Sequence, residues 1–133
     1  MLNRNDLKTE CVRRLDKRAL EHPSGHQGKL AARYMLRGRA GDVIELMFEK
    51  GPHTPANLWI AANRVSGLLE IADIDHRLAP ASVLYAVKGA NDKPVYGRHS
   101  ALKPMRELGH ADLVCFRIEA LTELDRILDH LTR

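Results

Sequence analysis

Turn-forming residues cut this chain into short elements. Breaks fall at Pro23-Ser24-Gly25, Gly38-Arg39-Ala40-Gly41, Gly51-Pro52-His53, Pro80, Gly89 to Lys93 and Gly109. Glycine and proline are the strongest local punctuation a sequence carries. Each segment between them therefore has to be a single short element packed against its neighbours.

Before Pro80 the apolar spacing reads as helical. Asp6 to Glu21 places Leu7, Cys11, Leu15 and Ala19 on one stripe, with Asn5 or Asp6 as cap. Gln27 to Arg37 turns Leu30, Ala31, Tyr34 and Met35 inward, and Asp42 to Lys50 does the same with Val43, Leu46 and Met47. Thr54 followed by Pro55 opens a fourth helix, since proline is favoured at the first helical position. After Pro80 the pattern changes. Ser82 to Lys88 and Pro94 to Gly97 read as two strands around the turn at 89–93, the second an edge strand because of its proline. Ser100 caps a short helix to Leu108. Asp112 to Ile118 is the best central strand, and Leu121 to Leu131 is an amphipathic helix. The expected fold is α+β in one domain, 1–133: an all-helical basic part of about four helices (1–79), then a compact ββαβα part (80–133).

With 133 residues and 44% hydrophobic content, a single core can form. Aromatics are only 5% of the chain, so Leu, Ile, Val, Ala and Met must fill that core, with Tyr34, Trp59 and Phe116 as anchors. Cys11 and Cys115 lack the paired spacing of a disulfide framework or a zinc motif and are expected to be reduced. There is no apolar run of about 18 residues that would span a membrane. The start, Met1 to Asp6, has no signal-peptide h-region. A cytoplasmic protein is expected.

Charge is uneven. Residues 1–50 hold 11 Lys/Arg against 7 Asp/Glu, a net of +4, and residues 51–133 hold 10 of each. The sequence pI is about 9.3. A basic part on a neutral body suits an anionic partner, nucleic acid being the usual one. Arg13, Arg14, Lys17, Arg18, Lys29, Arg33, Arg37 and Arg39 are the candidate phosphate contacts. Glu10, Asp16 and Glu21 are interleaved with them, so a solvated or protein-binding face explains the same pattern.

Residues 43–66 have the rhythm of a helix-turn-helix: a helix, Gly51-Pro52, a capped helix, then Ser66 before a would-be recognition helix at 67–75. That last helix carries three acids and no base, which counts against groove reading. The densest chemistry is Tyr96-Gly97-Arg98-His99-Ser100-Ala101-Leu102-Lys103. Arg98, His99, Ser100 and Lys103 could dock an anion at the start of the Ser100 helix. In a metal-independent nuclease, His99 would move the proton while Arg98 and Lys103 stabilised the charge. Asp73, Asp75 and His76 resemble metal ligands but have no partner group at a recognisable spacing, so no metal and no cofactor is expected. There is no Walker loop, dinucleotide fingerprint or nucleophile elbow.

The leading expectation is a small basic binding protein, a regulator of prokaryotic or mobile-element type, whose partner is nucleic acid or a nucleoprotein. An acidic protein surface is a further candidate partner. The alternatives are the nuclease and a homodimeric interaction module.

Overall fold

The computed structural model describes residues 3–26, 28–71 and 73–132. The elements run α1 (Arg4–Arg18), β1 (Leu20–Glu21), β2 (Ala31–Arg37), β3 (Val43–Glu49), β4 (Asn57–Ala61), α2 (Ser66–Ile71), β5 (His76–Ala79), β6 (Leu113–Arg117) and α3 (Leu121–Thr132). The six strands form one sheet in the order β1-β2-β3-β4-β6-β5, and every pairing is antiparallel.

This corrects the expected architecture. The first 79 residues supply five of the six strands, and β6 inserts between β4 and β5, so one sheet draws on both sides of Pro80. The segments 31–37 and 43–49, expected as helices, are β2 and β3, paired from Ala31↔Glu49 to Arg37↔Val43. Their alternation is the physical reason. Ala32, Tyr34, Leu36, Ile44, Leu46 and Phe48 share one face of the sheet, while Ala31 and Met47 are buried on the other. Strands buried on both faces read as continuous apolar runs, which helical spacing also fits. Gln27, the expected start of the second helix, lies outside the described residues.

The helix-turn-helix is overturned with them: 43–49 is β3, 57–61 is β4, and Thr54 leads no helix. The recognition helix of 67–75 shrinks to α2, which ends at Ile71, and Ala72 lies outside the described residues. A six-residue helix spans only about 9 Å.

The expected hairpin at 82–97 also fails as a ladder. Residues 81–83, 90–92 and 100–102 are short 3₁₀ turns, and Lys88↔Pro94 is an isolated bridge. Tyr85, Val87 and Val95 stay exposed, so little apolar burial rewards extended pairing there. The expected Ser100-to-Leu108 helix is likewise only the turn at 100–102, followed by irregular chain. Its cap is the His99 ring, whose Nδ1 accepts from the Ala101 N–H at 3.1 Å.

Other readings hold. α1 begins earlier than expected, capped by Asn3, which accepts from the Asp6 N–H at 2.9 Å, and it stops at Arg18, short of the expected Glu21, because Leu20 and Glu21 pair with Met35 and Tyr34 as β1. It buries Leu7, Cys11 and Leu15. β6 is a central strand, and α3 buries Leu124, Ile127, Leu128 and Leu131. Tyr34, Trp59 and Phe116 are all buried.

The molecule has three layers. The helices cover one sheet face through Leu7, Leu15, Leu68, Ile127 and Leu128. The β5–β6 connection, residues 80–112, covers the other through Ala101, Leu102, Met105 and Leu108, packed on Met47, Trp59, Leu113 and Cys115. This cover is fastened by charge. Glu45 Oε1 accepts from the N–H groups of Glu107 (2.6 Å) and Leu108 (3.0 Å), and Glu45 Oε2 lies 2.5 Å from His22 Nε2. Glu107 returns a bond by accepting from the Glu45 N–H and holds Arg64, which also pairs with Asp42. Two glycines permit close approach within the cover. A Cβ at Gly97 would lie 2.7 Å from Leu84 O, and one at Gly109 2.7 Å from Met105 O.

Among the described residues, no helix is long and apolar enough to cross a membrane.

Candidate functional site

A connection of 33 residues with only 3₁₀ turns of its own is unusual in a compact domain, and such segments usually carry function. The cover closes over the sheet to leave a pocket of about 400 Å³. Glu49, Trp59, Arg77, Leu78, Ala79, Pro80, Val83, Leu84, Gly97, Arg98 and His99 line it. That volume is within the range of small-ligand pockets.

Strand register assembles the pocket floor. Trp59 and Arg77 both pair with Cys115, so indole, thiol and guanidinium lie in one row across β4, β6 and β5. Arg77 sits 4.9 Å from the Trp59 ring centroid, within cation–π range. Among the described residues Arg77 has no carboxylate partner. From β3 the Glu49 side chain reaches the same row. Its Oε2 accepts from Trp59 Nε1 (3.0 Å) and Asn57 Nδ2 (2.8 Å). Glu49 Oε1 accepts no hydrogen bond among the described residues and faces His99 Nε2 at 4.0 Å. Because His99 Nδ1 accepts from Ala101, the ring proton sits on Nε2.

Arg98 lines the pocket, but its Nη atoms are engaged: Nη2 donates to Ala79 O (2.7 Å) and Nη1 to Leu108 O and Gly109 O. It therefore ties the cover to β5 while adding positive charge to the wall. Ser100 begins the 3₁₀ turn at 100–102. Lys103 is exposed outside the pocket, 5.9 Å from the Tyr96 ring centroid. Of the four residues Arg98, His99, Ser100 and Lys103, only Arg98 and His99 meet in the cavity. Burial is the main cause of a raised Tyr96 pKa, and its hydroxyl donates to Gly109 O at 2.7 Å. The helix N-terminus expected to receive an anion at Ser100 is not formed.

The basic residues of 13–39 lie elsewhere. Arg33 is the one that reaches the cover. It is buried and donates to Gly25 O (2.5 Å), Ser24 O (3.1 Å) and Ala101 O (3.2 Å). Arg14 pairs with Asp125, and Arg18 pairs with Asp129 at 3.0 Å, joining α1 to α3. Arg39 donates to His130 O at the end of α3. Arg13 is exposed with Glu10 at 2.7 Å, a surface pair of little energetic weight.

The remaining cations border two grooves flanking α1. Asn5, Lys8, Thr9, Val12, Arg13, Lys29, Lys50 and Pro52 line one. Lys17, Arg18, Ala19, Leu20, Met35, Leu36, Arg37 and Val43 line the other. Among the described residues neither groove is lined by a carboxylate. Lys8 is buried against Gly51 O, and its pKa is lowered first by that burial and then by Arg4.

Asp75 pairs with Arg117 at 2.9 Å, and His76 Nδ1 lies 2.9 Å from Ile74 O. Among the described residues no cluster of three or more His, Cys, Asp or Glu forms that could hold a metal ion. Cys11 and Cys115 are free thiols in the two separate cores, and burial pushes each pKa up to about 12.

Glu49, Trp59 and Arg77 were not singled out as site residues in the sequence. The available signals were an acid inside an apolar run and the sole tryptophan. Comparisons of the chain with protein-family models, curated proteins and solved structures return no match.

Proposed function

We propose that the protein binds nucleic acid through its phosphates, along the two grooves that flank α1. The observation that carries this reading is the charge of the groove walls: four cations line the first and three the second, with no carboxylate among the described lining residues. Lys17, Lys29 and Arg37 are exposed, as is Arg13 beside Glu10, and Lys50 is half-buried. Such a strip attracts a polyanion and gains by counterion release. Phosphate contacts position a protein without reading bases. The short α2, whose one charged residue is Glu70, offers no groove-reading helix, so binding is expected to be largely independent of sequence.

The test is fluorescence anisotropy with a 20-base-pair duplex across a salt series. If about four phosphates are neutralised, log affinity falls against log salt with a slope of roughly −3.5. Lys17→Gln, Lys29→Gln and Lys50→Gln each weaken binding and flatten the slope by about one unit. Arg106→Gln, an exposed change on the cover, leaves affinity within about twofold, because it touches neither groove. Salt-independent affinity, or no binding at low salt, would refute the reading.

A further inference from the structure

The pocket under the cover has a different chemistry from the α1 grooves and lies on the opposite face of the sheet, so this inference does not rest on the nucleic-acid reading. We infer that it is a binding site for a small organic anion carrying a hydroxyl group, either a hydroxy carboxylate or a sugar phosphate.

The Glu49–His99 pair selects the hydroxyl. Glu49 is only 6% exposed, and Trp59 and Asn57 take up its Oε2 alone. Its Oε1 stands 4.0 Å from the protonated Nε2 of His99, too far for a direct hydrogen bond. One oxygen placed about 2.8 Å from each atom completes both sides. That oxygen must accept from the imidazole N–H and donate to the carboxylate, as a water does and as a ligand hydroxyl does when it takes the water's place. A carbonyl would lack the proton for Glu49, and an ammonium would confront the His99 N–H.

The charge of the walls selects the anion. Arg77 and Arg98 outnumber the one carboxylate lining the cavity. Arg98 is held by carbonyls, whereas Arg77 is exposed, lies over the Trp59 ring and has no ion pair among the described residues. A planar guanidinium of this kind matches carboxylate and phosphate oxygens in bidentate fashion. Leu78, Ala79, Pro80, Val83 and Leu84 supply an apolar wall for a short carbon skeleton.

Four probes in two matched pairs test this on the full chain: L-malate against succinate, and D-ribose 5-phosphate against pentyl phosphate. Binding is read by calorimetry and by the emission of Trp59, the sole indole. In at least one pair the hydroxylated member binds tenfold or more tightly than its partner, and the pair that responds distinguishes carboxylate from phosphate. His99→Asn keeps an acceptor for the Ala101 N–H but loses the ring N–H, so it removes the preference for the hydroxylated member. Arg77→Leu weakens both members of the responding pair alike. The inference is overturned if none of the four probes binds at millimolar concentration, if matched probes bind equally, or if the folded His99→Asn protein keeps the full preference.

Discussion

Replacing Glu45 tests what holds the cover on the sheet. In Glu45→Ala the N–H groups of Glu107 and Leu108 and the Nε2–H of His22 lose their acceptor together. A buried donor left unpaired costs about 1–3 kcal/mol. Two backbone donors and one imidazole therefore sum to roughly 4 kcal/mol once partial rehydration of the Glu107 edge is allowed for. That is a large part of the roughly 5–15 kcal/mol a domain has in total. With a urea m-value near 1.5 kcal/mol/M, the midpoint falls by about 2.5 M. Glu45→Gln separates the causes. Its amide oxygen still accepts from both N–H groups, while its NH₂ meets the His22 donor, so it costs only about 1–2 kcal/mol. Urea unfolding followed by far-UV circular dichroism and by Trp59 emission measures both. In Glu45→Ala the emission change, which reports on the cover, precedes the loss of secondary structure. A loss below about 1 kcal/mol in Glu45→Ala, or equal losses in the two variants, would refute the assignment of these bonds as the fastening.

Three further outcomes are expected. Cys11 and Cys115 are buried with pKa values pushed up to about 12, so native protein at pH 8 reacts with a disulfide reagent only as fast as it unfolds. The folded state holds these protons more tightly than the unfolded state, so stability is full below the unfolded thiol pKa of about 8.5 and declines as pH climbs toward the folded value. Asp42 has the opposite sign: its hydrogen bond to Arg64 lowers its pKa, so its contribution is present above the ordinary carboxyl range and disappears as pH falls through the folded value. Asp42→Asn accordingly flattens the acid end of the stability–pH curve measured by denaturation. Gly109→Ala forces a Cβ against Met105 O at 2.7 Å and Lys103 O at 2.9 Å, and lowers stability by about 1–3 kcal/mol in the same assay.

Legibility in the sequence followed burial. α1 and α3 each bury one stripe and expose the rest, which leaves an unambiguous period of 3.6. β6 was legible as an unbroken apolar run between charges. β2 and β3 were not, because both faces are covered and Val43, Leu46 and Met47 match a helical stripe as well as a strand. Chain density pointed to Arg98 and His99. Glu49, Trp59 and Arg77 come from three strands, and their meeting depends on lateral register, which no local spacing records. The split of the basic residues was equally hidden: whether Arg33 points out like Arg37 or under the cover depends on where the 24–25 turn and Ala101 come to rest.

β5 and β6 are adjacent in the sheet, and Ala79 pairs directly with Leu113. The chain between them is topologically the tip of a hairpin, however long it has grown. Loop-closure entropy rises only by about 0.6 kcal/mol for each doubling of length, so this tip can be exchanged without rewiring a strand. A graft must bring its own apolar patch to shield Met47, Trp59 and Leu113, and an acceptor-seeking pair of N–H groups for Glu45. With those two conditions met, and with substitutes for the Glu107 carboxylate that holds Arg64 and for the Ala101 carbonyl that accepts from Arg33, the cover is a replaceable cassette. Ligand choice on that face can diverge between descendants of this chain while the α1 face stays as it is.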